Sequence, residues 1–451
     1  MSEKSIRRAT SRVPYSMQLY QRAEELIPGG TQLISRRPSR FAYGVSPVYA
    51  VRGQGSRIWD VDGNEYIDWV SGVGAIILGY ADPTVDAAVK KQIGQGTVYS
   101  INHPLELELA EFLTDSIPCA EMVRYAKGGG EACAIAVRIA RGATGRDKVL
   151  FCGYHGWHDW YLAANLSEEA ALTPHLFSGI EPIGVPQGLR GTAIPFPYGD
   201  LNALKQKLQE HHSEIAAVIM EPLRSEEPPD GYLAEVRQLA SQHNIVLIFD
   251  EVSTGFRPSA EGVQPVVGVT PDMAVFAKSL SNGYPMAAVV GKREVMEIAA
   301  RIFVSSTYWS DTIGLRAALT TLQEVRRRHV PDAIQSLGRR IKSKLNEMGK
   351  TCNLPVTCEG VDFHPQLRFL VEDALLQSQL ATLYIQEMAK RGCHGYPSFY
   401  LNAAQDEDDL EQTFQSANEV FSLIAQGLKD ENIDSLLECE LRQDAFQRLV
   451  R

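Results

Sequence analysis

The chain has 451 residues, of which 44% are hydrophobic and 22% are charged, and its formal net charge is -11 at pH 7. This length suits two domains or one large domain with an appendage. The acidic balance argues against nucleic acid as the main partner, and because no apolar run reaches the roughly 18 residues that span a bilayer, we expect no membrane partner. Seven cysteines without CxxC spacing favour reduced thiols and a cytoplasmic protein.

The first 75 residues predict an N-terminal segment that forms part of a small domain. Residues 14–27 have the apolar spacing of a helix, which Pro28-Gly29-Gly30 ends. Residues 46–70 predict a meander of short antiparallel strands with a hairpin turn at Asp62-Gly63. Such a meander commonly leads into a larger domain.

From about Asp82 onward, helical stretches alternate with continuous apolar runs. This alternation is typical of a mostly parallel sheet covered by helices on both faces, so we predict a large α/β domain over residues 76–325. The predicted helices are 82–94, 104–116, 130–145 and 200–213, and the predicted strands are 148–152, 215–220, 245–249, 273–276 and 286–290. Between them, the irregular stretch 165–198 is long enough to indicate a segment near a cleft or an interface.

Residues 326–451 predict a second, smaller α+β domain. A long helix pair over 312–350 leads into it, and strands and helices follow over 355–428. The tail from 430 to 451 predicts one more helix. No internal repeat or low-complexity segment interrupts this order.

Three of the apolar runs end in residues that can carry chemistry: Glu221, Asp250 and Lys278. In an open parallel sheet, ligands bind beyond the carboxyl ends of the strands. A carboxylate directly after an apolar strand is costly unless a cation pairs with it, and the protonated pyridine nitrogen of pyridoxal phosphate (PLP) would be such a cation. A lysine in an apolar cleft offers a free amine that can form a Schiff base. In the plainer alternative, Asp250 caps the next helix and Lys278 is solvated.

A glycine-rich turn supplies a candidate phosphate site. Gly128-Gly129-Gly130 opens a helical stretch, and the backbone N–H groups at a helix start bind phosphate. The Tyr154-His155-Gly156-Trp157 stretch follows a predicted strand and brings an aromatic ring to a strand end. That ring could stack on a cofactor, although a plain core role is the alternative.

Together these motifs resemble the class III, fold-type I aminotransferases of PLP, and the most similar branch contains glutamate-1-semialdehyde 2,1-aminomutase. The resemblance runs from about Leu26 to about Leu428. It implies a large domain with a seven-stranded, mostly parallel sheet and a smaller α+β domain built from both chain ends. The stretches that carry it are Ile27-Pro-Gly-Gly30, Val61-Asp-Gly-Asn-Glu-Tyr-Ile-Asp68, Ala140-Arg-Gly-Ala-Thr-Gly-Arg146, Gly153-Tyr-His-Gly156, Glu221-Pro222, Asp250-Glu-Val-Ser-Thr-Gly-Phe-Arg257, Gly268-Val-Thr-Pro-Asp272 and Lys278.

The resemblance also implies roles for individual residues. Lys278 matches the lysine that holds PLP as an internal aldimine and moves protons, and Asp250 matches the partner of the pyridinium nitrogen. Val252 and Tyr154 match the residues on the two faces of the ring. The remaining cofactor contacts that it implies are Gly129 and Gly130 in the phosphate turn, His155, the cleft residue Glu221, and Thr307, which reaches the phosphate of the neighbouring subunit.

The chain departs from the family pattern in the phosphate turn and in the substrate region. Gly128-Gly129-Gly130 stands where the family usually has Ser-Gly-Thr, so two hydroxyl donors are missing. Each hydrogen bond to a charged group is worth about 1.5–3 kcal/mol, which predicts weaker cofactor retention. The substrate candidates are Arg36 as a carboxylate partner, Glu226 in place of a family asparagine, and the aromatic residues Trp157 and Tyr400.

The sequence therefore predicts a PLP-dependent aminotransferase that uses a small-molecule amino donor and a carbonyl acceptor. The resemblance implies a homodimer with shared active sites. An aminomutase or a racemase with the same cofactor is one alternative, and a non-catalytic ligand-binding relative is another. A requirement for a second substrate separates a transferase from a mutase.

Overall fold

The structure, a computed structural model, describes residues 11–167, 171–175, 180–211, 213–223 and 226–443. These residues form two compact units. The small unit comprises residues 11–73, 79–81 and 334–443, and the large unit comprises residues 74–78 and 82–333. Within the described residues, no helix combines the length and the apolar character needed to cross a bilayer.

The strands belong to three sheets. In chain order they are β1 (Ala50–Gln54), β2 (Arg57–Asp60), β3 (Glu65–Asp68), β4 (Met122–Ala126), β5 (Lys148–Cys152), β6 (Ala193–Pro195), β7 (Ile215–Met220), β8 (Val246–Asp250), β9 (Met273–Phe276), β10 (Ala287–Gly291), β11 (Val356–Glu359), β12 (Gln366–Phe369) and β13 (Cys393–His394).

The helices range from single turns to more than twenty residues. In chain order they are α1 (Pro14–Leu26), α2 (Ser71–Gly74), α3 (Pro83–Ile93), α4 (Pro104–Ser116), α5 (Gly129–Thr144), α6 (Asp159–Leu162), α7 (Ala164–Ser167), α8 (Leu201–His211), α9 (Tyr232–Gln242), α10 (Gln264–Val267), α11 (Arg293–Met296), α12 (Thr312–Arg327), α13 (Val330–Thr351), α14 (Ala374–Lys390), α15 (Glu407–Lys429) and α16 (Ile433–Leu436).

The large unit is built on a seven-stranded sheet with the order β4-β10-β9-β8-β7-β5-β6. Strands β9, β8, β7, β5 and β6 pair in parallel, whereas β10 runs antiparallel to both of its neighbours. Every residue of β7, β8, β9 and β10 is buried, which explains their unbroken apolar sequences. The prediction of a mostly parallel α/β sheet is confirmed.

Helix α5 packs on this sheet against β7, β8, β9 and β10. Its buried residues repeat at helical spacing along one side, from Ala132 to Ala140. Gly145, with φ +68°, ends the helix in the left-handed conformation. The start of α5 is thereby fixed relative to the carboxyl ends of the parallel strands.

The sequence patterns do not predict β4, β6 or α9. Strand β4 has Arg124 at its centre and is only partly buried, so its apolar run is broken. Strand β6 has three residues and lies at the edge of the sheet, which gives too short a pattern to recognise.

The small unit contains a four-stranded sheet with the order β1-β2-β3-β13 and a separate β11–β12 hairpin. Strands β1, β2 and β3 form the expected antiparallel meander, and β13 adds in parallel to β3. Helices α14 and α15 pack against each other beside them. The small unit thus combines helices and strands from both the N-terminal and the C-terminal parts of the chain.

The prediction of one helix over the tail 430–451 is wrong for the described residues of that stretch. Only the single turn α16 is helical, and residues 437–443 are extended or bent. The backbone N–H of Glu438 donates to Oε1 of Gln386 at 2.7 Å, and that of Arg442 donates to Oγ1 of Thr382 at 3.1 Å. These bonds to α14 replace the bonds of a helix, and residues 444–451 lie outside the described part.

Candidate active site

The carboxyl ends of the parallel strands β5, β7, β8 and β9 meet at one edge of the large sheet. Asp250 is the last residue of β8, Glu221 follows β7, and Lys278 follows β9 after one residue. The loop that begins with Gly153 follows β5. The structure therefore brings the chemically important strand ends of the sequence to one edge of one sheet, where ligands of such folds bind.

Asp250 is held by a network of buried hydrogen bonds. Its Oδ2 atom lies 2.8 Å from Nδ1 of His155 and accepts from Sγ of Cys133 at 3.3 Å. Its Oδ1 atom accepts the backbone N–H of Val252 at 3.0 Å. Burial, together with the adjacent Asp250 carboxylate, raises the pKa of the Cys133 thiol, so the thiol keeps its proton and acts as a donor. Asp250 is thereby fixed in one orientation.

His155 makes polar contacts through both of its ring nitrogens. Nε2 of His155 lies 3.2 Å from the carbonyl oxygen of Cys152, and a carbonyl oxygen can only accept. A carboxylate oxygen also only accepts, so both ring nitrogens face acceptors: Nε2 faces the carbonyl oxygen and Nδ1 faces the Asp250 carboxylate. The imidazole links the end of β5 to the end of β8.

The ligand atoms of Cys133, His155 and Asp250 lie within 4.8 Å of one another, a spacing that would also suit a metal ion. However, a cysteine must lose its proton to bind a metal, and burial opposes that loss here. The donors also already bond to one another. We interpret the three residues as a hydrogen-bond network that orients Asp250.

Lys278 has a strained backbone, with φ at +49°, and it opens a short 3-10 turn over Lys278–Ser281. The left-handed conformation costs a non-glycine residue about 1–2 kcal/mol, and such strain is concentrated at functional sites. The half-buried Nζ atom donates to Oγ of Ser253 at 2.8 Å. The amine therefore contacts the 250–257 segment that begins with Asp250.

The glycine turn at the start of α5 is closely surrounded by backbone and side-chain atoms. Gly128 is the N-cap residue and has no side-chain cap. A Cβ atom on Gly129 would lie 2.7 Å from Cγ1 of Val252, and one on Gly130 would lie 3.0 Å from Cα of Gly156. The first N–H groups of a 16-residue helix therefore lack a side-chain cap, which suits an anion such as a phosphate.

Glu221 shapes the loop that follows β5. Its Oε2 atom accepts the backbone N–H of Tyr154 at 3.3 Å, and a Cβ atom on Gly153 would lie 2.6 Å from the same oxygen. The half-buried Tyr154 ring packs edge-on against Tyr161 with 6.1 Å between the ring centroids. Glu221 thus acts on the position of Tyr154 through the loop backbone.

The other predicted site residues lie in more exposed places. Trp157, Glu226 and Thr307 are exposed parts of the large unit. Arg36 and Tyr400 belong to the small unit, where Arg36 is exposed and Tyr400 stacks on His364 at 4.0 Å. Their roles at the site remain predictions.

Sequence reasoning missed three contacts near the glycine turn and the strand ends. Cys133 forms a hydrogen bond with Asp250, and Ser253 forms one with Lys278. In addition, Nε1 of Trp309 donates to Oε1 of Glu131, in the first turn of α5, at 3.0 Å. Cys133 lies about one helical turn after Gly130, and Ser253 lies three residues after Asp250, so their spacing could have pointed to these two contacts. The local sequence around Trp309 does not predict its contact with Glu131.

Comparison with known proteins agrees with this architecture. Residues 41–360 match the family model of class-III aminotransferases. The chain is 35% identical over 414 residues to a 3-aminobutyryl-CoA aminotransferase of Cloacimonas acidaminovorans (strain Evry), covering 90% of this chain and 96% of the relative. It is 33% identical over 427 residues to a glutamate-1-semialdehyde 2,1-aminomutase 2 of Exiguobacterium sp. (strain ATCC BAA-1283 / AT1b), covering 90% and 96%.

Comparison with solved structures also identifies proteins that have this fold. The PLP internal aldimine form of the FumI protein of Sphingopyxis sp. MTA144 superposes with a TM-score of 0.83 at 25% identity, covering 93% of this chain and 99% of that one. An omega-transaminase of Sphaerobacter thermophilus gives a TM-score of 0.78 at 26% identity, covering 94% and 100%. The predicted fold-type I architecture of PLP transaminases is confirmed.

The chain belongs to the class-III aminotransferase family. The sequence motifs predicted this assignment, and it is confirmed. The family is PLP-dependent, so the cofactor is PLP and the activity is the transfer of an amino group between small molecules.

Proposed function

We propose that Lys278 is the lysine to which PLP is attached and that Asp250 is the carboxylate beside the pyridine nitrogen. The contact that carries this proposal is the 2.8 Å bond between Nζ of Lys278 and Oγ of Ser253. Because Ser253 lies three residues after Asp250, this bond joins the amine to the segment that follows the carboxylate at the end of β8. The strained backbone of Lys278 supports a functional rather than a structural role.

The surrounding residues fit PLP in shape and in chemistry. A Cβ atom on Gly128 would meet no atom within 4 Å, so there is open space at the start of α5 for a phosphate group. Val252 packs directly on Gly129, which places an apolar side chain between this turn and Asp250. The Oδ2 atom of Asp250 already has two partners, His155 and Cys133, whereas Oδ1 accepts one hydrogen bond, from the backbone N–H of Val252, and keeps a second lone pair for a ring nitrogen.

Bound PLP supplies an electron-accepting pyridine ring conjugated to a reactive carbonyl carbon. The carboxylate of Asp250 would keep a proton on the ring nitrogen, and the Cys133 and His155 contacts hold that carboxylate in place. Nζ of Lys278 would take a proton from the substrate carbon that carries the amino group and would deliver it to the cofactor carbon that receives the amino group. The N–H groups of Gly129 and Gly130 would hold the phosphate, and Val252 and Tyr154 would confine the ring.

The experiment that tests the assignment is reduction of the holoenzyme with borohydride, followed by peptide mass spectrometry. We expect a PLP mass adduct on the peptide that contains Lys278, and we expect Lys278→Ala to lose both the adduct and turnover while keeping its circular dichroism spectrum. Lys292→Ala is the control, because Lys292 pairs with Asp272 at the amino end of β9. An adduct on another lysine, or full activity of Lys278→Ala, would refute the proposal.

We propose further that the amino donor carries its amino group on the carbon β to a carboxylic acid derivative. Support comes from the 35% identity to a 3-aminobutyryl-CoA aminotransferase over nearly the full length of both chains. A panel of β-amino acids, their thioesters and α-amino acids, offered with several keto acids, would test this. Conversion of PLP to its amine form by α-amino acids only, measured by absorbance, would contradict it.

A second candidate function is an intramolecular aminomutase. The 33% identity to a glutamate-1-semialdehyde 2,1-aminomutase over 90% of this chain favours it. A mutase converts a single substrate without a separate acceptor. Turnover of glutamate-1-semialdehyde in the absence of any keto acid would therefore select this function over transfer between two substrates.

We also propose a homodimer in which Thr307 contributes to the neighbouring site. Exposed apolar side chains in two linked segments support this: Ile101 and Phe303 are each 82% exposed, and Tyr308 is 64% exposed. The backbone N–H of Thr312 donates to the carbonyl of Thr97 at 2.9 Å, which joins the two segments. Apolar surface of this kind is typical of a subunit interface.

A cytoplasmic location is proposed on chemical grounds. All seven cysteines have free thiols, which is usual for reducing compartments. Titration of the thiols in protein purified directly from its natural host would test this, since disulfides would contradict it.

A further inference from the structure

The imidazole of His158 lies directly beside the glycine turn at the start of α5. A Cβ atom on Gly130 would lie 3.5 Å from Nδ1 and 3.6 Å from Cε1 of His158. The side chain of any larger residue at position 130 would therefore contact the His158 ring. Trp157 stacks on the imidazole with 4.5 Å between centroids and 21° between planes, which limits the motion of the ring.

The Nδ1 atom of His158 is buried and has no hydrogen-bond partner among the described residues. A buried polar atom without a partner costs about 1–3 kcal/mol, so it needs a physical explanation, and a bound ligand or water is one such explanation. Gly128, Gly129 and Gly130 have no side-chain donors of their own, and α5 has no side-chain cap. A polar ring edge is thus placed next to an anion site that is otherwise formed by backbone alone.

We propose that His158 is a positioning residue that donates an imidazole N–H to the phosphate group of PLP at the start of α5. This inference rests on the proposed placement of the phosphate at Gly129 and Gly130. His158 follows the Tyr154–Trp157 loop and is the N-cap residue of α6, so one short segment would contact both the ring and the phosphate. A hydrogen bond between a charged and a neutral group corresponds to roughly a 10- to 100-fold change in affinity.

The test compares the affinity of the apoenzyme for PLP with its affinity for pyridoxal, which lacks the phosphate. His158→Phe keeps a planar ring but removes the N–H, and we expect a roughly 10- to 100-fold loss in PLP affinity with unchanged pyridoxal affinity. His158→Asn keeps an amide N–H near the position of Nδ1 and should recover most of the loss. Equilibrium dialysis measures both ligands, and their ratio does not depend on the fraction of protein that is folded.

His211→Phe is the matched control, because His211 is a partly buried histidine on α8 that contacts Lys148. It should leave the PLP-to-pyridoxal ratio unchanged. A ratio in His158→Phe equal to that of the wild type would overturn the role of His158, and so would a loss of affinity for both ligands alike. Failure of the proposed function is a separate result, since it would be a missing borohydride adduct on Lys278 in the wild-type enzyme.

Discussion

Nδ1 of His155 lies 2.8 Å from Oδ2 of Asp250, and the two residues are only 1% and 3% exposed. They are far apart in sequence, and the contact joins the ends of two strands that are separated by β7. Because Nε2 of His155 is a donor to a backbone carbonyl, the imidazole is locked in one orientation. Asp250 is therefore presented as a fixed acceptor, which is the property required of the partner of a protonated ring nitrogen.

Asp250→Asn should lower kcat by roughly 100- to 1,000-fold, because an amide cannot stabilise the protonated ring nitrogen. The measurement is the steady-state rate at saturating amino donor and carbonyl acceptor. Asp272→Asn is the control: Asp272 is a buried carboxylate at the amino end of β9 and pairs with Arg237 and Lys292. Its loss should lower stability but not the rate per folded molecule. Equal rates for wild type and Asp250→Asn would mean that this carboxylate does not serve the cofactor.

Much of the large unit could be predicted because its central strands are buried along their whole length. Strands β7, β8 and β9 are short apolar runs that end in Glu221, Asp250 and Lys278, so sequence order places these residues at one sheet edge. The reversed direction of β10 was not predictable from such a run, because parallel and antiparallel buried strands have the same apolar pattern.

The side-chain contacts of the site were less predictable than its strand ends. The bond of His155 to Asp250, the contact of Gly129 with Val252 and the position of His158 beside Gly130 all join distant parts of the chain. Local spacing carries no signal for such pairs. The prediction of a helix for the tail after α16 was wrong for a related reason, since Gln386 and Thr382 of the distant helix α14 bind the backbone of the tail.

Gly129→Ala should weaken PLP binding by about 10-fold or more. The added methyl group would lie 2.7 Å from Cγ1 of Val252, so either Val252 or the start of α5 must move. Gly188→Ala is the control, because Gly188 is an exposed residue outside the glycine turn and a Cβ atom there meets nothing within 4 Å. PLP affinity measured by equilibrium dialysis should change less than about 2-fold in that control. Similar losses in both variants would show that the contact with Val252 does not matter.

Phe303→Asp should weaken the proposed dimer, because a charge replaces a side chain that is 82% exposed and apolar. Sedimentation velocity over a range of concentrations would measure the shift towards monomer. If Thr307 serves the neighbouring site, PLP affinity should fall together with dimer content. Leu375→Asp, at an apolar position on α14 that is 57% exposed, is the control and should leave both quantities unchanged. A monomeric wild type at all concentrations would contradict the proposed dimer.

Glu251 should make the enzyme less stable as the pH rises from about 4.5 to about 8. Its side chain is fully buried, and burial raises its pKa to about 7 even though Val263 and Gln264 donate hydrogen bonds to it. In the unfolded chain the pKa returns to its ordinary value near 4.5, so the folded state binds more protons between these two values. Stability is then lost as pH rises through the window, by about 3 kcal/mol in total.

Glu251→Gln removes this titration, because a glutamine has no proton to lose in this range. The free energy of unfolding of the variant minus that of the wild type should therefore increase by about 3 kcal/mol between pH 4.5 and pH 8 in urea titrations of the apoenzyme. Glu324→Gln is the control, because the pKa of Glu324 is shifted in the opposite direction: hydrogen bonds from Arg327 and Arg328 lower it to about 2. Its folded and unfolded forms are both ionised over most of this range, so its difference should stay nearly constant above pH 5. A difference for Glu251→Gln that does not change with pH would contradict the raised pKa of Glu251 in the folded protein.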